Sequence, residues 1–325
     1  MNFIKKNWFL LALAAVCAIT IVETGARLAQ AGNWCKSKHG ADAVIFLIFL
    51  ATGLILKTEK IREGVEDIKG IAITLTIIFV IAPGAAYAIA LLPLDPGIKI
   101  GLFLVAIMPS TLTSGVVMTG ASGGNMANSL LITIIGNGLS IITIPLTLTI
   151  LLGIGGESQA VPIQKGAMMV QIALLVMVPL LIGLVLRPKR LNLDRWFQRM
   201  IPVFNQCMIL VIVWMALSGA REAVLGGGAR TFQILILSFL FHAILLAVAF
   251  VSARLFRIGP GKRESIIFMG GQKTLPLSVL LQTTLFPQYG LSLVFCVIHH
   301  FVHLMMDGYL VGRFRTSAHY KTQRR

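Results

Sequence analysis

Lys273 lies within a long apolar stretch, between two glycines and a proline, in the sequence Gly270-Gly271-Gln272-Lys273-Thr274-Leu275-Pro276. A lysine at the centre of a membrane helix costs about 2.5–3.5 kcal/mol on insertion scales, so it should face a partner or water. Snorkelling to the membrane surface is the alternative, but the lysine lies some eight residues inside the stretch. We therefore predict a broken helix here, with Gln272, Lys273 and Thr274 as candidate substrate- or ion-binding residues.

A second break is predicted around Pro109, where residues 109–115 combine a proline with four hydroxyl side chains. Proline removes a backbone donor and disturbs the preceding turn, so a kink or an unwound segment is expected. Irregular backbone in a bilayer is tolerated where it is buried in protein or lines a polar cavity. A kinked helix whose hydroxyls bond to their own carbonyls is the alternative. The candidate binding residues are Ser110, Thr111, Thr113 and Ser114.

The next apolar stretch opens with Gly123-Gly124 and carries a polar stripe at intervals of three to five residues, formed by Asn125, Asn128 or Ser129, Thr133 and Asn137. This spacing places the stripe along one side of a helix. Such side chains commonly join helices by hydrogen bonds. Because the stripe follows the first break closely, we favour a cavity wall, with Asn125, Ser129, Thr133 and Asn137 as candidates.

The last apolar stretch carries His299, His303 and Asp307 on one helical face, at i, i+4 and i+8. Histidine titrates near neutral pH, and buried His and Asp chains mark proton relays, so a relay is one hypothesis. A polar stripe packed against the broken helices is the alternative. A converging set of metal ligands is not evident, so no metal site is predicted. His242 is interpreted as structural.

The composition indicates a lipid-embedded chain. Hydrophobic residues make up 57% of the 325 residues and charged ones 12%, with a mean hydropathy of +0.87. The formal net charge is +16, but the basic residues form short clusters between apolar runs, so anionic lipid rather than nucleic acid is the expected partner. The four cysteines lack CxxC spacing, and HExxH and paired intramembrane carboxylates are absent from the sequence. We therefore expect neither an enzyme nor a bound cofactor.

Ten stretches are apolar enough to cross a membrane. They cover residues 8–28, 43–56, 70–92, 98–119, 125–152, 163–186, 202–218, 230–256, 265–285 and 289–311. The first also imitates a signal peptide, because Lys5 and Lys6 precede it and Ala29-Gln30-Ala31 follows it. We keep it as a span, since its removal would leave an odd number of helices.

The basic residues predict the orientation of these ten spans. Twenty of the 28 lysines and arginines fall in one set of alternate loops and seven in the other, which places both termini in the cytoplasm. The expected location is therefore the plasma membrane or a bacterial inner membrane. Two halves of five spans, residues 1–155 and 156–325, must then have opposite orientations, which is the parity of an inverted-repeat transporter.

Three motifs together are similar to one family, the bile acid:sodium symporter superfamily, and within it the divergent branch that includes solute carrier family 10 member 7 and bacterial relatives. The motifs run from Met108 to Gly115, from Gly123 to Asn137 and from Gly270 to Leu275. The resemblance implies an all-α membrane fold of two inverted five-helix repeats, in which helices 4 and 9 unwind and cross. It further implies a panel of helices 1, 2, 6 and 7, a core of helices 3–5 and 8–10, and a substrate cavity between them.

The resemblance also implies a sodium site, but this chain departs from the usual pattern. Ser129 and Thr133 match sodium ligands, and Gln272 matches a third position. Phe268, however, stands where the family carries a glutamate, and Lys273 replaces an asparagine. A bare cation needs anionic or dense oxygen ligation, so sodium is doubtful.

The expected function is a secondary transporter of a small organic anion, sodium-independent or proton-linked, with Lys273 as a fixed or titrating charge. Two half-helix N-termini at the crossing would favour an anion. A sodium-coupled symporter and a non-transporting regulatory membrane protein are the alternatives. Substrate identity, direction of transport and oligomeric state carry no signature in the sequence.

Overall fold

The fold is built from helices throughout the part of the chain that the structure describes. A computed structural model describes residues 2–23, 25–56, 67–111, 113–155, 164–187 and 195–322. Its thirteen helices are α1 (Asn2–Val22), α2 (Arg27–Ser37), α3 (Gly40–Ile55), α4 (Ile68–Ala90), α5 (Pro96–Ala106), α6 (Ser114–Ala121), α7 (Met126–Ile154), α8 (Lys165–Leu186), α9 (Arg195–Leu225), α10 (Gly228–Leu255), α11 (Arg263–Gly271), α12 (Leu275–Leu285) and α13 (Gly290–Thr322). The predicted all-α class is confirmed.

Six of these helices are long and apolar enough to cross a membrane: α4, α7, α8, α9, α10 and α13. A seventh span results if α1 and α2 are counted as one bent pair, and α3 and α5 are shorter apolar helices. Large apolar side chains such as Val80, Ile150, Val185 and Val251 are exposed on these helices, as expected for surfaces that face lipid. The chain is a membrane protein. Helix occurs at each of the ten predicted positions, while ten spans in two inverted repeats stay a prediction.

The first predicted span, residues 8–28, is not one continuous helix. Helix α1 ends at Val22, and Ala26 adopts a left-handed backbone conformation with φ of 51°. The Glu23 carboxylate accepts hydrogen bonds from the backbone N–H groups of Arg27 and Leu28, at 3.1 and 2.8 Å, and so satisfies the start of α2. The chain therefore turns where the sequence predicts a continuation.

Both predicted helix breaks are present. Helix α5 ends at Ala106 and α6 begins at Ser114, while α11 ends at Gly271 and α12 begins at Leu275. Pro276 occupies the first turn of α12, where backbone N–H groups have no intrahelical acceptor, so the N–H that proline lacks is not needed. The fourth and ninth predicted spans are thus two pairs of half-helices.

Close helix contacts hold this arrangement together. Helices α3 and α8 touch through Gly53 and Gly183, where a Cβ atom would collide with the backbone carbonyl of Leu180 or Leu50. Helix α9 packs against α1, α2 and α3, whereas α13 packs against α5 and α10. The division into panel and core domains, like the boundary at residue 155, stays a prediction. Seven of the twenty basic residues counted for the orientation lie outside the described residues: Lys57, Lys60, Arg62, Lys189, Arg190, Arg324 and Arg325.

Candidate functional site

The two helix breaks meet through their backbones. The N–H group of Thr274, in the second break, donates to the carbonyl of Pro109, in the first, at 3.0 Å. Residues between α5 and α6 and between α11 and α12 lack a helical ladder, so their backbone groups need partners elsewhere. The contact between Thr274 and Pro109 supplies one such partnership, and it fixes the two breaks against each other.

A small polar cavity lies against this junction. Its walls include Ser110, Thr113, Ser114 and Thr274 from the two breaks, and Phe9, Phe49 and Gln206 from α1, α3 and α9. The free volume is about 40 Å³, which holds a few water molecules rather than a metabolite. The cavity is therefore a narrow space between two groups of helices.

The first residues of both half-helices line this cavity. Thr113 and Ser114 stand at the start of α6, and Thr274, Leu275 and Pro276 at the start of α12. The opening N–H groups of a helix have no intrahelical acceptor, and its N-terminus carries a partial positive charge. Two such termini directed at one small space create an environment that favours an anionic group.

Gln272 connects the first break to the last helix. Its Oε1 accepts hydrogen bonds from the hydroxyls of Thr111, at 2.5 Å, and Ser114, at 2.8 Å, and those two hydroxyls are 2.7 Å apart. Its Nε2 donates to Oδ2 of Asp307 at 2.8 Å. Both acceptor and donor ends of the buried amide are thus in use, so Gln272 is a bridge between α6 and α13.

Asp307 continues this network into a cluster of buried histidines. Its Oδ1 lies 2.9 Å from Nε2 of His242, on α10. The ring of His303 lies 5.7 Å from that of His242 and 4.7 Å from that of His300, measured between centroids. His299 lies 5.5 Å from His303 on the same helix. The structure thus brings together the three residues of the predicted relay and adds His242 and His300.

His300 and Asn137 place buried polar atoms at the cavity. Both side chains line it, and they are 3% and 1% exposed. The Asn137 Nδ2 group donates to the Thr133 carbonyl at 2.9 Å, but its Oδ1 has no hydrogen-bond partner among the described residues. His300 lies beside the Lys273 carbonyl, yet neither ring nitrogen makes a hydrogen bond of good geometry within the described residues. A buried acceptor of this kind normally has a partner.

Lys273 points away from the cavity. Its ammonium donates to three backbone carbonyls, those of Ile78 at 3.0 Å, Ala106 at 2.9 Å and Met108 at 2.9 Å. The sequence predicts a partner or water beside this lysine, and backbone carbonyls are its partners. An ammonium has three N–H groups, and all three donate to these carbonyls, so none is left for a substrate.

The polar stripe on α7 lies mostly inside the protein, away from the cavity. Asn125 caps α7, its Oδ1 accepting the N–H groups of Ala127 and Asn128 at 2.9 and 3.1 Å. Ser129 donates to the Thr119 hydroxyl at 3.0 Å, and Thr133 donates to the Ser129 carbonyl at 2.9 Å. Asn137 alone of the four predicted residues lines the cavity. The other three join or cap helices, which is the alternative we considered from sequence.

One of the three oxygen atoms that the resemblance matches to a sodium site, the Gln272 Oε1, already accepts two hydroxyls. Ser129 and Thr133 use their hydroxyl hydrogens within α6 and α7. Phe268 is fully buried and makes an edge contact with Phe314, 6.1 Å between centroids. An apolar ring thus occupies the position that the family fills with a carboxylate. Among the described residues, no group of three His, Cys, Asp or Glu side chains could hold a metal ion.

Sequence reasoning missed three residues of the site. His242 was interpreted as structural, although it hydrogen-bonds Asp307 across 65 positions of sequence. His300 does not share the 299–303–307 face, and Gln206 lies in a span without a recognisable motif. A polar residue within an apolar span was the available signal in each case.

Comparison with known sequences places this arrangement in a family. A sequence model of the SBF-like CPA transporter family matches residues 7–316. The chain is 29% identical to the probable sodium/metabolite cotransporter BASS4 of Arabidopsis thaliana, over 82% of the chain and 64% of that relative's length. It is 26% identical to sodium/bile acid cotransporter 7 of Xenopus tropicalis, over 95% of the chain and 91% of the relative.

An uncharacterized protein of Pseudomonas aeruginosa is 26% identical over 96% of the chain and 94% of its own length. The named relatives are cotransporters, so the family consists of transporters rather than enzymes. The resemblance inferred from the three motifs is confirmed, because the match extends over nearly the whole chain. With its two broken helices and their shared polar cavity, the chain belongs to the SBF-like CPA transporter family, within the bile acid:sodium symporters.

Proposed function

We propose that this chain is a secondary transporter of a small organic anion that works without sodium and is linked to protons. The solute site is the cavity at the junction of the two helix breaks. The observation that carries the proposal is the convergence of two half-helix N-termini on one cavity lined by Asn137, whose Oδ1 has no hydrogen-bond partner among the described residues. Alternating access between the two sides of the membrane completes the proposal.

The chemistry of the cavity supports an anion with a second polar group. The N-termini of α6 and α12 attract negative charge, and Ser110 and Thr113 offer hydroxyl donors. The free Oδ1 of Asn137 requires a hydrogen-bond donor. A carboxylate or sulfonate that also carries a hydroxyl or amino group meets both requirements.

The size of the cavity supports alternating access. A free volume of about 40 Å³ cannot admit a metabolite, so solute entry requires its walls to separate. Those walls come from α1, α3 and α9 on one side and from the two breaks, α7 and α13 on the other. Movement of one group of helices against the other is the kind of gating that transporters with broken helices use.

The side chains at the positions matched to sodium ligands support sodium independence. The Oε1 of Gln272 already accepts two hydroxyls, and Phe268 supplies no charge where the family carries a carboxylate. The relatives' names, which describe sodium cotransporters, favour sodium-coupled symport as a second candidate. Uptake experiments in the presence and absence of sodium separate the two candidates.

A line of titratable groups supports the proton-linked form. It runs from His300 at the cavity to His303, then to His242 and to Asp307. His and Asp chains inside membrane proteins commonly carry protons. His299 borders the line and contacts both His242 and His303. In this proposal a proton moves between the cavity and Asp307 during each cycle.

The proposed topology has ten spans in two inverted repeats, residues 1–155 and 156–325, with both termini in the cytoplasm. Helix at every predicted span position and the uneven distribution of basic residues support it. A single cysteine placed at either terminus of a cysteine-free variant should react with a membrane-impermeant maleimide in inside-out vesicles. Reaction in right-side-out vesicles instead would contradict the orientation.

Uptake into proteoliposomes tests the function. Vesicles made in potassium-only buffer and loaded with a fluorescent pH indicator are offered a panel of short carboxylates and organic sulfonates, with and without a proton gradient. We expect at least one anion to be accumulated and to move protons with it, at equal rates when sodium replaces potassium. Dependence on sodium would support the second candidate, and the absence of any flux would support a regulatory protein.

Two substitutions locate the site. Asn137→Leu removes the unpartnered acceptor at similar volume, so the apparent affinity for the transported anion should fall about tenfold or more. Thr149→Val is the matched control on α7, because the Thr149 hydroxyl bonds to the Pro145 carbonyl of its own helix, at 2.7 Å, outside the cavity. His303→Phe keeps an aromatic ring but should abolish proton movement while anion binding persists. Equal behaviour of Asn137→Leu and Thr149→Val would refute the placement of the site.

A further inference from the structure

The three partners of Lys273 determine the chemical form of its side chain. Three carbonyl oxygens lie 2.9–3.0 Å from the nitrogen. An ammonium has three N–H donors and no acceptor, so it satisfies all three oxygens. A neutral amine has two N–H groups and a lone pair, which would face a carbonyl oxygen. The geometry therefore fits the charged form.

One carbonyl is available because of a local irregularity in α4. Residues Ile77–Ile81 form a π-helical turn, in which the N–H group of Ala82 bonds to the Ile77 carbonyl five residues back. The next N–H group along the helix would belong to Pro83, which has none. The Ile78 carbonyl is thus left without a backbone donor, and Lys273 supplies one.

The other two carbonyls come from the end of a half-helix. Ala106 is the last residue of α5, and Met108 follows just before Pro109. The last four carbonyls of a helix have no intrahelical donor, and this end of the helix dipole is negative. The acceptors therefore belong to the backbone of two segments, α4 and the end of α5. Lys273 connects both segments to the second break through these hydrogen bonds.

We propose that the Lys273 ammonium is a covalently attached cation bound in a cage of three backbone carbonyls, those of Ile78, Ala106 and Met108. Its hydrogen bonds hold the second break against α4 and α5. The cage is a binding site for an ammonium-type cation, which this chain supplies covalently. Lys273 then neither touches the solute nor carries the proton. The sequence allows Lys273 to be a fixed or a titrating charge, and this inference assigns it the fixed charge. It deepens the proposed function, and its statement about solute and proton rests on that function.

Removing the tether tests the cage. The Lys273→Ala variant leaves three buried carbonyls without donors and a vacant volume beside them. Its melting temperature in detergent should lie roughly 5 °C or more below that of the wild type. Methylammonium chloride should restore part of the loss with a saturable dependence on concentration, because its three N–H donors and single methyl group suit the vacated space. Choline chloride, at the same ionic strength, has no N–H donor and should not.

Lys273→Met is the matched control. Methionine fills most of the volume of the lysine stem but offers no donor, so this variant should be destabilised and should not respond to methylammonium. A Met variant that melts with the wild type, an Ala variant without a saturable response, or an equal response to choline would overturn the proposal. If the Ala variant does not survive extraction, the same salts are compared in isolated membranes by the fraction of protein still soluble in detergent after heating.

The melting readout keeps the two proposals distinguishable, because it does not depend on transport. A chain that shows methylammonium rescue but moves no anion would refute the proposed function and leave the cage intact. A chain that transports anions but shows no rescue would refute the cage. In the first case Lys273 would be a structural cation of a non-transporting protein.

Discussion

Gln272→Leu is expected to weaken the junction of the two breaks more than any comparable substitution of a neutral side chain nearby. Leucine approximates the volume of glutamine but removes both ends of the bridge between α6 and α13. Four hydrogen bonds disappear: those from the hydroxyls of Thr111 and Ser114 to Oε1, and those from Nε2 to the Asp307 carboxylate and to the Met118 sulfur. The two hydroxyls can still bond to each other, since they already lie 2.7 Å apart.

The magnitude follows from what each group loses. The hydroxyls of Thr111 and Ser114 lose the Gln272 Oε1 as an acceptor, and the loss of one such hydrogen bond lowers the free energy of unfolding by about 0.5–1.5 kcal/mol. The buried Asp307 oxygen loses a donor to a charged acceptor, worth about 1.5–3 kcal/mol. The free energy of unfolding should therefore fall by about 2–4 kcal/mol. With an unfolding entropy of about 2.1 cal/mol/K per residue, each kcal/mol corresponds to about 1.5 °C for a chain of this size, so the melting temperature should drop by roughly 3–6 °C.

A double-mutant cycle measured by thermal unfolding in detergent isolates the bridge. Gln272→Leu combined with Asp307→Asn should show a coupling energy of about 1 kcal/mol or more, because the two residues share one hydrogen bond. Gln282→Leu is the matched control, since the Gln282 amide donates to the carbonyls of Phe286 and Tyr289, at 3.0 and 3.1 Å, rather than to Asp307. Its coupling with Asp307→Asn should be near zero. Equal coupling for both glutamines, or a tolerated Gln272→Leu, would refute the bridge.

Three further outcomes are expected from thermal unfolding. Gly183→Ala should destabilise the chain strongly, because the added methyl group collides with the Leu50 carbonyl on α3, whereas Gly153→Ala, which meets open space, should not. Asn125→Ala should cost about 1 kcal/mol through loss of the α7 cap, and Asn125→Ser should restore most of it; equal melting of the two would argue against capping. Arg230→Ala should change stability by less than about 1 kcal/mol, because its ion pair with Asp95, at 3.5 Å, is largely exposed.

Local features of the sequence were sufficient to predict the helices and their breaks. Pro109 and Pro276 cannot donate a backbone hydrogen bond, and a lysine or a run of hydroxyls in an apolar stretch signals a departure from a lipid-facing helix. These signals depend on a few adjacent residues, so no tertiary information was needed. The turn after Val22 was missed, because the apolar pattern continues weakly while the Glu23 cap favours a new helix.

The connections between distant segments could not be predicted in this way. Gln272 meets Thr111 across 161 positions, and Asp307 meets His242 across 65, so neither pair shares a helix face or a motif. The partners of Lys273 carry even less signal, since a backbone carbonyl looks the same in every residue. The sequence by itself determined that a lysine would lie in a broken helix. Tertiary structure decided that a π-helical turn in α4 and the end of α5 hold that charge, because only packing brings free carbonyls together.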